Sequence, residues 1–196
     1  MVEQRHQVGR LDMSLQLLKS AAEIESNPDI HLARLLILLG ASGGKTNKPV
    51  QGIMKLAKLD FLLRYPNCLE RALAAVGKAN EKTDILPYER TSIEASMIRF
   101  KYGPWDKRYR NWIGLLVAKG LVKTFVEGKT VMVSLTAKGD EVSKLLSTKT
   151  EFISLSNRSK LISANFGKMP ATKIKDFIYE VFPEIADMKW GEDIKL

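Results

Sequence analysis

A glycine-rich turn is the first segment whose residue types could do chemistry. Residues 35–49 read LLILLGASGGKTNKP, an apolar run that enters a turn ending in Gly44, Lys45 and Thr46. A nucleotide-binding P-loop has the pattern G-x-x-x-x-G-K-[ST], whose length lets backbone N–H groups surround the phosphates. Here only three residues separate Gly40 from Gly44, and the leucine-rich run before them favours a helix over a strand. We therefore interpret the turn as the end of a buried helix.

Other combinations of reactive side chains are equally incomplete. His6 and His31 are the only histidines, and a metal site needs several ligands within reach of one another. The single cysteine, Cys68, has no histidine placed to activate it and is expected to be a small buried hydrophobe. Pro28-Asp29 and Asp193-Ile194-Lys195 supply the letters of a nuclease motif, but more than 160 residues separate them. The sequence predicts no catalytic, metal or cofactor site, and we expect a protein that is not an enzyme.

The composition is that of an ordinary globular protein. Of the 196 residues, 45% are hydrophobic and 27% are charged. No run approaches the roughly 18 apolar residues that a membrane span requires. Residues 1–12 are polar, unlike a secretory signal, and one cysteine allows no internal disulfide. We expect a cytoplasmic protein that does not bind membranes.

The charge is unevenly distributed along the chain. Residues 97–175 carry 16 basic and 5 acidic side chains, whereas residues 176–196 carry 2 basic and 6 acidic ones. Such a basic block can bind a polyanion through counterion release, and it can equally contact an acidic protein surface. Charge alone leaves both kinds of partner open.

The hydrophobic pattern predicts a mainly α-helical fold with one small β-hairpin. Helices are expected at 11–26, 29–40, 50–64, from Pro66 onward, at 105–119, after the N-cap residue Thr136, at 149–165 and at 170–182, with the hairpin at 121–135. A helix, a hairpin and a helix in succession are typical of the back half of a winged helix-turn-helix domain, to which the earlier helices can supply the front half. We predict an N-terminal helix in residues 1–28, a winged-helix domain over 29–147 with a helical insertion at 66–103, and a C-terminal helical extension with an acidic tail over 148–196.

The predicted helix at 105–119 would present its first turn to a nucleic acid. Lysine and arginine contact phosphates or guanine, and asparagine contacts adenine. Lys129 stands at the tip of the hairpin, beside Glu127. The candidate nucleic-acid-binding residues, with double-stranded DNA as the possible ligand, are Lys107, Arg108, Arg110, Asn111 and Lys129.

The later turns of the same helix are better suited to a protein partner. Gly114, Leu115 and Ala118 are small or apolar on the outer face, where a reader of DNA would carry polar groups. Trp190 is a lone aromatic residue in the acidic tail and could contact a basic partner, although such a tail can also be loose or fold back onto the chain. The candidate protein-interface residues are therefore Gly114, Leu115, Ala118 and Trp190.

Three segments carry a resemblance to a known family. KLAKLDFLLRYP (55–66), MIRFKYGPWDKRY (97–109) and LTAKG (135–139) resemble the small middle subunit of three-component ABC-ATPase conflict systems of the Lamassu type. The resemblance covers residues 29–147 and implies a non-catalytic accessory subunit in a defence complex against phages or plasmids. The implied partners are an SMC- or Rad50-like ATPase, which binds DNA, and an effector subunit, often a nuclease.

Two alternatives stand beside this resemblance. The chain could be a stand-alone winged-helix regulator or antitoxin that binds DNA, and its Tyr-Gly-Pro turn is also similar to that of the Panacea antitoxin domain. The KYGPWD motif also has a purely structural interpretation. In it Gly103 permits a tight approach, Pro104 starts the helix, and Tyr102 and Trp105 anchor the insertion to the core.

Overall fold

The computed structural model describes residues 27–85, 89 and 96–196, and the helix predicted at 11–26 lies outside them. Among the described residues, helices predominate and the strands form small antiparallel sheets, which confirms the prediction of a mainly α fold with a hairpin. The helices are α1 (Pro28–Gly43), α2 (Ile53–Arg64), α3 (Pro66–Ala75), α4 (Tyr109–Ala118), α5 (Ala137–Ser147), α6 (Ile153–Phe166), α7 (Ala171–Val181) and α8 (Pro183–Asp187). The strands are β1 (Val50–Gln51), β2 (Ile98–Phe100), β3 (Gly103–Trp105), β4 (Val122–Glu127) and β5 (Thr130–Leu135).

Helix α1 lies at the centre of the core, as its nearly continuous apolar sequence predicts. The side chain of Asn27 accepts a hydrogen bond from the backbone of Asp29 at 2.9 Å, and Pro28 occupies the first turn. Every residue from 31 to 39 is buried. The helix continues to Gly43, and Gly44–Thr46 then forms a short 3-10 turn. The glycine turn thus follows a helix, where a P-loop would follow a strand.

The larger sheet joins residues that are far apart in the sequence. Its strand order is β1-β5-β4, and β1 lies between α1 and α2 in the chain. The predicted hairpin is β4–β5, closed at Glu127 opposite Thr130, with Gly128 at φ +60°. Thr136 caps α5 as predicted, because its side chain accepts a hydrogen bond from Gly139 N at 3.0 Å.

The prediction of a helix over residues 105–119 is wrong at its start. Residues 103–105 pair with 98–100 as a small sheet, and Gly103 adopts φ +105° at the turn. Pro104 therefore lies in a strand, and α4 begins only at Tyr109. The expectation that Tyr102 anchors the core is also wrong, since 45% of its surface is exposed at the tip of this β2–β3 hairpin.

The C-terminal tail folds back onto the β2–β3 hairpin. Arg99 N donates to Glu192 O at 2.8 Å, and Ile194 N donates to Met97 O at 2.8 Å. The side chain of Ile194 is fully buried, and its carbonyl accepts a hydrogen bond from the Tyr65 hydroxyl at 3.0 Å. Of the two outcomes left open for the tail, folding back is therefore the one observed. None of the described helices is both long and apolar enough to cross a membrane.

Candidate functional site

A buried ion cluster holds the start of α4 against α1 and α2. It consists of Arg34, Asp60, Arg64, Asp106 and Arg108. The Asp60 carboxylate is fully buried and lies 2.7 Å from Arg34 Nε and 3.1 Å from Arg64 Nε. It also accepts a hydrogen bond from the Tyr109 hydroxyl at 2.5 Å. A buried carboxylate requires such partners, because it would otherwise be uncompensated in a medium of low dielectric constant.

Asp106 extends the cluster to the surface and fixes the turn into α4. Its carboxylate lies 2.9 Å from Arg64 Nη1. It also accepts hydrogen bonds from Arg108, from the backbone N–H at 2.9 Å and from the side-chain Nε at 3.0 Å. Asp106 therefore fixes the turn between β3 and α4, because its carboxylate accepts a hydrogen bond from the backbone N–H two residues later, as in an Asx turn.

Trp112 provides the aromatic surface on which the cluster packs. The guanidinium groups of Arg34, Arg64 and Arg108 lie 5.6, 5.3 and 4.8 Å from its ring centroid. The His31 ring lies 4.6 Å away, and its Nδ1 is 2.8 Å from Arg34 Nη1. Arginine is suited to this arrangement because its planar group stacks on rings while it pairs with carboxylates.

The environment favours the ionised form of both aspartates. Burial acts to raise the pKa of Asp60, but the charges of Arg34 and Arg64 outweigh it and hold the pKa below its usual value. Burial likewise opposes ionisation of Asp106, and its hydrogen bonds to Arg108 with the charge of Arg64 lower that pKa to about 2. Both aspartates of the cluster are therefore ionised at neutral pH, and their carboxylates are paired with the arginines of the cluster.

The candidate nucleic-acid-binding residues fall into two groups. Lys107, Arg110 and Asn111 are exposed, with Lys107 in the turn before α4, and Lys129 is exposed on the hairpin. Arg108 differs from these, because it is only partly exposed and is paired with Asp106 at 2.9 Å.

A surface cavity of about 350 Å³ brings two of the exposed cations together. Arg110 from α4 and Lys129 from the hairpin both line it. Much of the remaining wall is apolar, and Ile53, Trp105 and Val131 contribute to it. The cavity thus combines two positive charges with an apolar floor.

The candidate protein-interface residues also lie on more than one surface. Gly114 and Ala118 are exposed on α4 beside Val117, whereas Leu115 is partly buried against the core. Trp190 is 67% exposed, and its ring lies 6.5 Å from that of Phe100 on the β2–β3 hairpin. The structure places Trp190 with Phe100 and records no ring contact from it to α4 within the described residues.

The tip of the β4–β5 hairpin exposes an apolar pair that the sequence reading missed. Val126 and Val131 face each other across the two strands and are 69% and 41% exposed. Phe125, which precedes Val126 in the strand, is 42% exposed on the opposite face of the hairpin. Farther down the face of the valine pair, Val122, Val133 and Leu135 are buried. The apolar stripe therefore continues past the end of the protein's own core.

The ion cluster was also missed, although the sequence contains a signal for it. Arg34 is the one charged residue inside the apolar run of α1, and Asp60 lies inside the apolar sequence of α2. A charge in the buried part of a helix requires a partner from elsewhere in the fold. That rule could have predicted a buried pair, but not which residues form it.

In the described part of the chain, the remaining reactive residues form neither a metal-ligand group nor a catalytic pair. Among residues 27–85, 89 and 96–196, no group of three or more His, Cys, Asp or Glu is arranged to hold a metal ion. Cys68 is buried, as expected, and burial raises the pKa of its thiol to about 12. Asp29 lies in the first turn of α1, and Asp193 pairs with Ile98 in the folded-back tail.

Comparisons with known proteins identify no relative. The chain gave no match to protein-family models, to curated proteins or to solved structures.

Proposed function

We propose that residues 29–147 form a winged helix-turn-helix domain, and that the chain is a non-catalytic accessory subunit that binds a protein partner. The order of elements supports the fold proposal. Three helices, α1, α2 and α4, precede the β4–β5 hairpin, with α3 and the β2–β3 hairpin inserted between the second and the third. In DNA-binding helix-turn-helix domains the recognition helix enters the major groove, and in the proposed fold α4 would be the corresponding helix.

The exposed pair Val126–Val131 is the observation that carries the choice of a protein partner. A wing that grips DNA contacts phosphates, which calls for cations and hydrogen-bond donors. On one face this hairpin tip presents two valines. Exposed apolar side chains on the hairpin, and the small exposed residues Gly114 and Ala118 on α4, each suit the buried centre of a protein interface.

The partners that we propose come from the family resemblance. A middle subunit of a Lamassu-type system would join an SMC- or Rad50-like ATPase to an effector, often a nuclease, in cytoplasmic defence against phages or plasmids. Asp60, Arg64 and Asp106 of the resembling segments take part in the ion cluster.

Co-expression with the two neighbouring genes, followed by size-exclusion chromatography, tests the proposal. We expect the chain to elute with at least one partner. Val126→Glu should abolish co-elution, because it places a charge in the apolar contact. Leu145→Glu is the matched control, since Leu145 is an apolar residue on α5 that is 58% exposed. Separate elution of the wild-type chain at micromolar concentration, or equal loss with both variants, would contradict the proposal.

A second function, DNA binding, is favoured by the convergence of Arg110 and Lys129 on one cavity. Exposed Lys107 and Asn111 would extend this surface along the start of α4. DNA binding predicts that the logarithm of the affinity falls with that of the salt concentration, by about 0.9 for each phosphate contact. Arg110→Ala and Lys129→Ala should each lower that slope, whereas Lys173→Ala, an exposed lysine on α7, should not. Val126→Thr adds no charge beside these cations, so a variant that loses the protein partner and keeps its DNA affinity distinguishes the two functions.

A further inference from the structure

The outer edge of strand β4 has no partner strand in the described part of the chain. The sheet order β1-β5-β4 gives β4 (Val122–Glu127) a neighbour on one side only. Every residue from 123 to 127 is exposed. The unpaired N–H and C=O groups of such an edge can accept a further strand, and natural proteins usually protect an edge of this kind.

The β4–β5 ladder determines which backbone groups face this edge. Thr136 N donates to Leu121 O at 3.0 Å, which continues the β4–β5 register by one pair. In an antiparallel ladder, residues that bond to the partner strand alternate with residues whose backbone groups face away from it. The odd-numbered residues of β4 therefore bond to β5, and the backbone groups of Val122, Thr124 and Val126 point to the free edge. Within the described residues these groups make no hydrogen bond to another element.

The side chains on one face of β4 alternate in a charged, aromatic and charged order. Lys123, Phe125 and Glu127 project from the same face, since neighbouring side chains on a strand point to opposite faces. Phe125 is 42% exposed. Lys123 and Glu127 belong to no ion pair among the described residues. Four residues of strand separate them by about 13 Å, which is too far for them to pair within one chain.

This order is complementary to itself when two strands run antiparallel. In a pairing centred on Phe125, that residue lies opposite Phe125 of the second copy, and Lys123 lies opposite Glu127 of the second copy. Thr124 then lies opposite Val126 of the second copy, so the backbone groups that point to the free edge meet each other. A shift of the register by two residues in either direction would place Lys123 or Glu127 opposite the aromatic ring. The charges therefore select one register.

We propose that β4 pairs with β4 of a second copy of this chain and forms a two-fold symmetric homodimer. The two three-stranded sheets would then join into one sheet of six strands. Main-chain hydrogen bonds supply the contact, and the facing aromatic rings and opposite charges add to it. A lysine on an edge strand normally hinders the addition of another strand. Here Glu127 of the second copy compensates Lys123, so the edge favours another copy of this chain over an arbitrary strand.

This dimer goes beyond the proposed function and is compatible with it. Val126 and Val131 project from the other face of the hairpin, so the pairing of two β4 edges leaves their side chains available to a protein partner. Six residues from each chain form an interface smaller than a standard stable one. We therefore expect a dissociation constant on the order of 10–100 µM.

Sedimentation velocity on the purified full chain, from about 5 to about 500 µM, tests the dimer. We expect a reversible equilibrium between monomer and dimer. No larger species should form, because the dimer uses the free β4 edge of both copies. The measurement contains no other protein, so its outcome is independent of the co-elution experiment that tests the proposed function.

Charge reversal at the two ends of the strand makes the test specific to this register. By symmetry, Lys123→Glu or Glu127→Lys replaces two pairs of opposite charges with two pairs of like charges. Each variant should raise the dissociation constant at least about tenfold. Lys173→Glu is the control, since it makes the same charge change at an exposed position on α7 and should leave the dimer unchanged. An equimolar mixture of Lys123→Glu and Glu127→Lys restores both pairs and should dimerise as the wild type does.

Four results would overturn the proposal. They are a wild-type chain that stays monomeric over the whole concentration range, species larger than a dimer, dissociation constants for the reversed variants equal to that of Lys173→Glu, and a mixture that does not associate. A dimer that survives both charge reversals but is lost on Val126→Glu would place the contact at the valine pair and would also overturn pairing through β4.

Discussion

Charged side chains are usually exposed and apolar ones buried, and the regions before and after α4 depart from this rule in opposite ways. At the start of α4, five charged residues gather around Trp112, and Asp60 among them has no exposed surface. Beyond its end, the β4–β5 hairpin carries an apolar pair into solvent, with Val126 69% exposed. Burying charges stabilises a fold only when they are fully paired, and exposing valines contributes nothing to folding. From this comparison we infer that the ion cluster stabilises the fold, and we propose that the Val126–Val131 pair at the hairpin tip is the surface that binds a partner.

The largest expected effect comes from removing the charge at the centre of the ion cluster. Asp60→Asn keeps the shape of the side chain but leaves the guanidinium groups of Arg34 and Arg64 without their buried counterion. We expect the free energy of unfolding to fall by about 3–5 kcal/mol, as measured by urea denaturation. Asp187→Asn, at an exposed acid in α8, is the control and should change it by less than about 0.5 kcal/mol. A loss below about 1 kcal/mol for Asp60→Asn would mean that the cluster is not structural.

Acid should weaken the same end of α4 in a defined pH range. The folded-state pKa of Asp106 is about 2, below the ordinary aspartate value of 3.8, and that of Asp60 is also lowered. A lowered pKa contributes stability that is fully present above the unfolded-state value and is lost as the pH falls toward the folded-state value. The free energy of unfolding should therefore decline between about pH 5 and pH 2, with about 2 kcal/mol of the loss due to Asp106.

Urea denaturation over this pH range, on the wild type and on Asp106→Asn, measures that contribution. The variant should be less stable at neutral pH and should lose less stability on acidification. Parallel pH profiles for the two proteins would show that Asp106 is not the group that titrates.

Features set by residues close together in the chain were predicted from the sequence, whereas features set by distant residues were not. The capped start of α1, the β4–β5 hairpin and the cap at Thr136 were predicted correctly, because each is decided by residues close together in the chain. The start of α4 was predicted wrongly, because Pro104 is as compatible with an edge strand as with a helix start. Its pairing with residues 98–100 decided the matter.

The buried ion cluster and the exposed Val126–Val131 pair could not be predicted from the sequence for a related reason. Asp60 and Asp106 are 46 positions apart in the numbering, and only the fold brings both to Arg64. Val126 and Val131 continue the alternating pattern that places Val133 in the core, so the pattern alone predicts burial. Of the candidate site residues, Arg110 and Lys129 could be chosen from the sequence, but their shared cavity could not.

Two separate glycine-to-alanine substitutions test whether the outer surface of α4 is free of internal contacts. At Gly114 an added Cβ would meet no atom within 4 Å, so Gly114→Ala should stabilise the fold by about 0.5–1 kcal/mol through improved helix propensity. At Gly139 an added Cβ would lie 1.8 Å from Leu121 O, so Gly139→Ala should destabilise it by about 1–3 kcal/mol. Thermal unfolding measures both. Weakened partner binding by the more stable Gly114→Ala variant would place Gly114 in the interface, and a destabilised variant would contradict the open surface described here.

The smallest expected effect on the free energy of unfolding is that of a substitution at the hairpin tip. A change close to zero there is the informative result, because it shows that the tip does not contribute to folding. Val126→Thr keeps the shape and the strand preference of valine while it replaces one methyl group with a hydroxyl, and at 69% exposure that hydroxyl remains hydrated. The free energy of unfolding should change by less than about 0.5 kcal/mol. Val133→Thr makes the same chemical change on the neighbouring strand at a fully buried position and should cost about 1–3 kcal/mol, because the hydroxyl is buried.

Partner affinity should rank these two valine variants in the opposite order. If the hairpin tip is covered in a complex, Val126→Thr places its hydroxyl in that interface and weakens binding, although the free protein is unaffected. Val133→Thr lies in the core of the free chain and should leave the affinity of the folded fraction unchanged. Equal affinities for wild type and Val126→Thr, with Gly114→Ala also binding normally, would move the interface away from this surface. The exposed cations at Arg110 and Lys129 would then be the better candidates for contact with a partner.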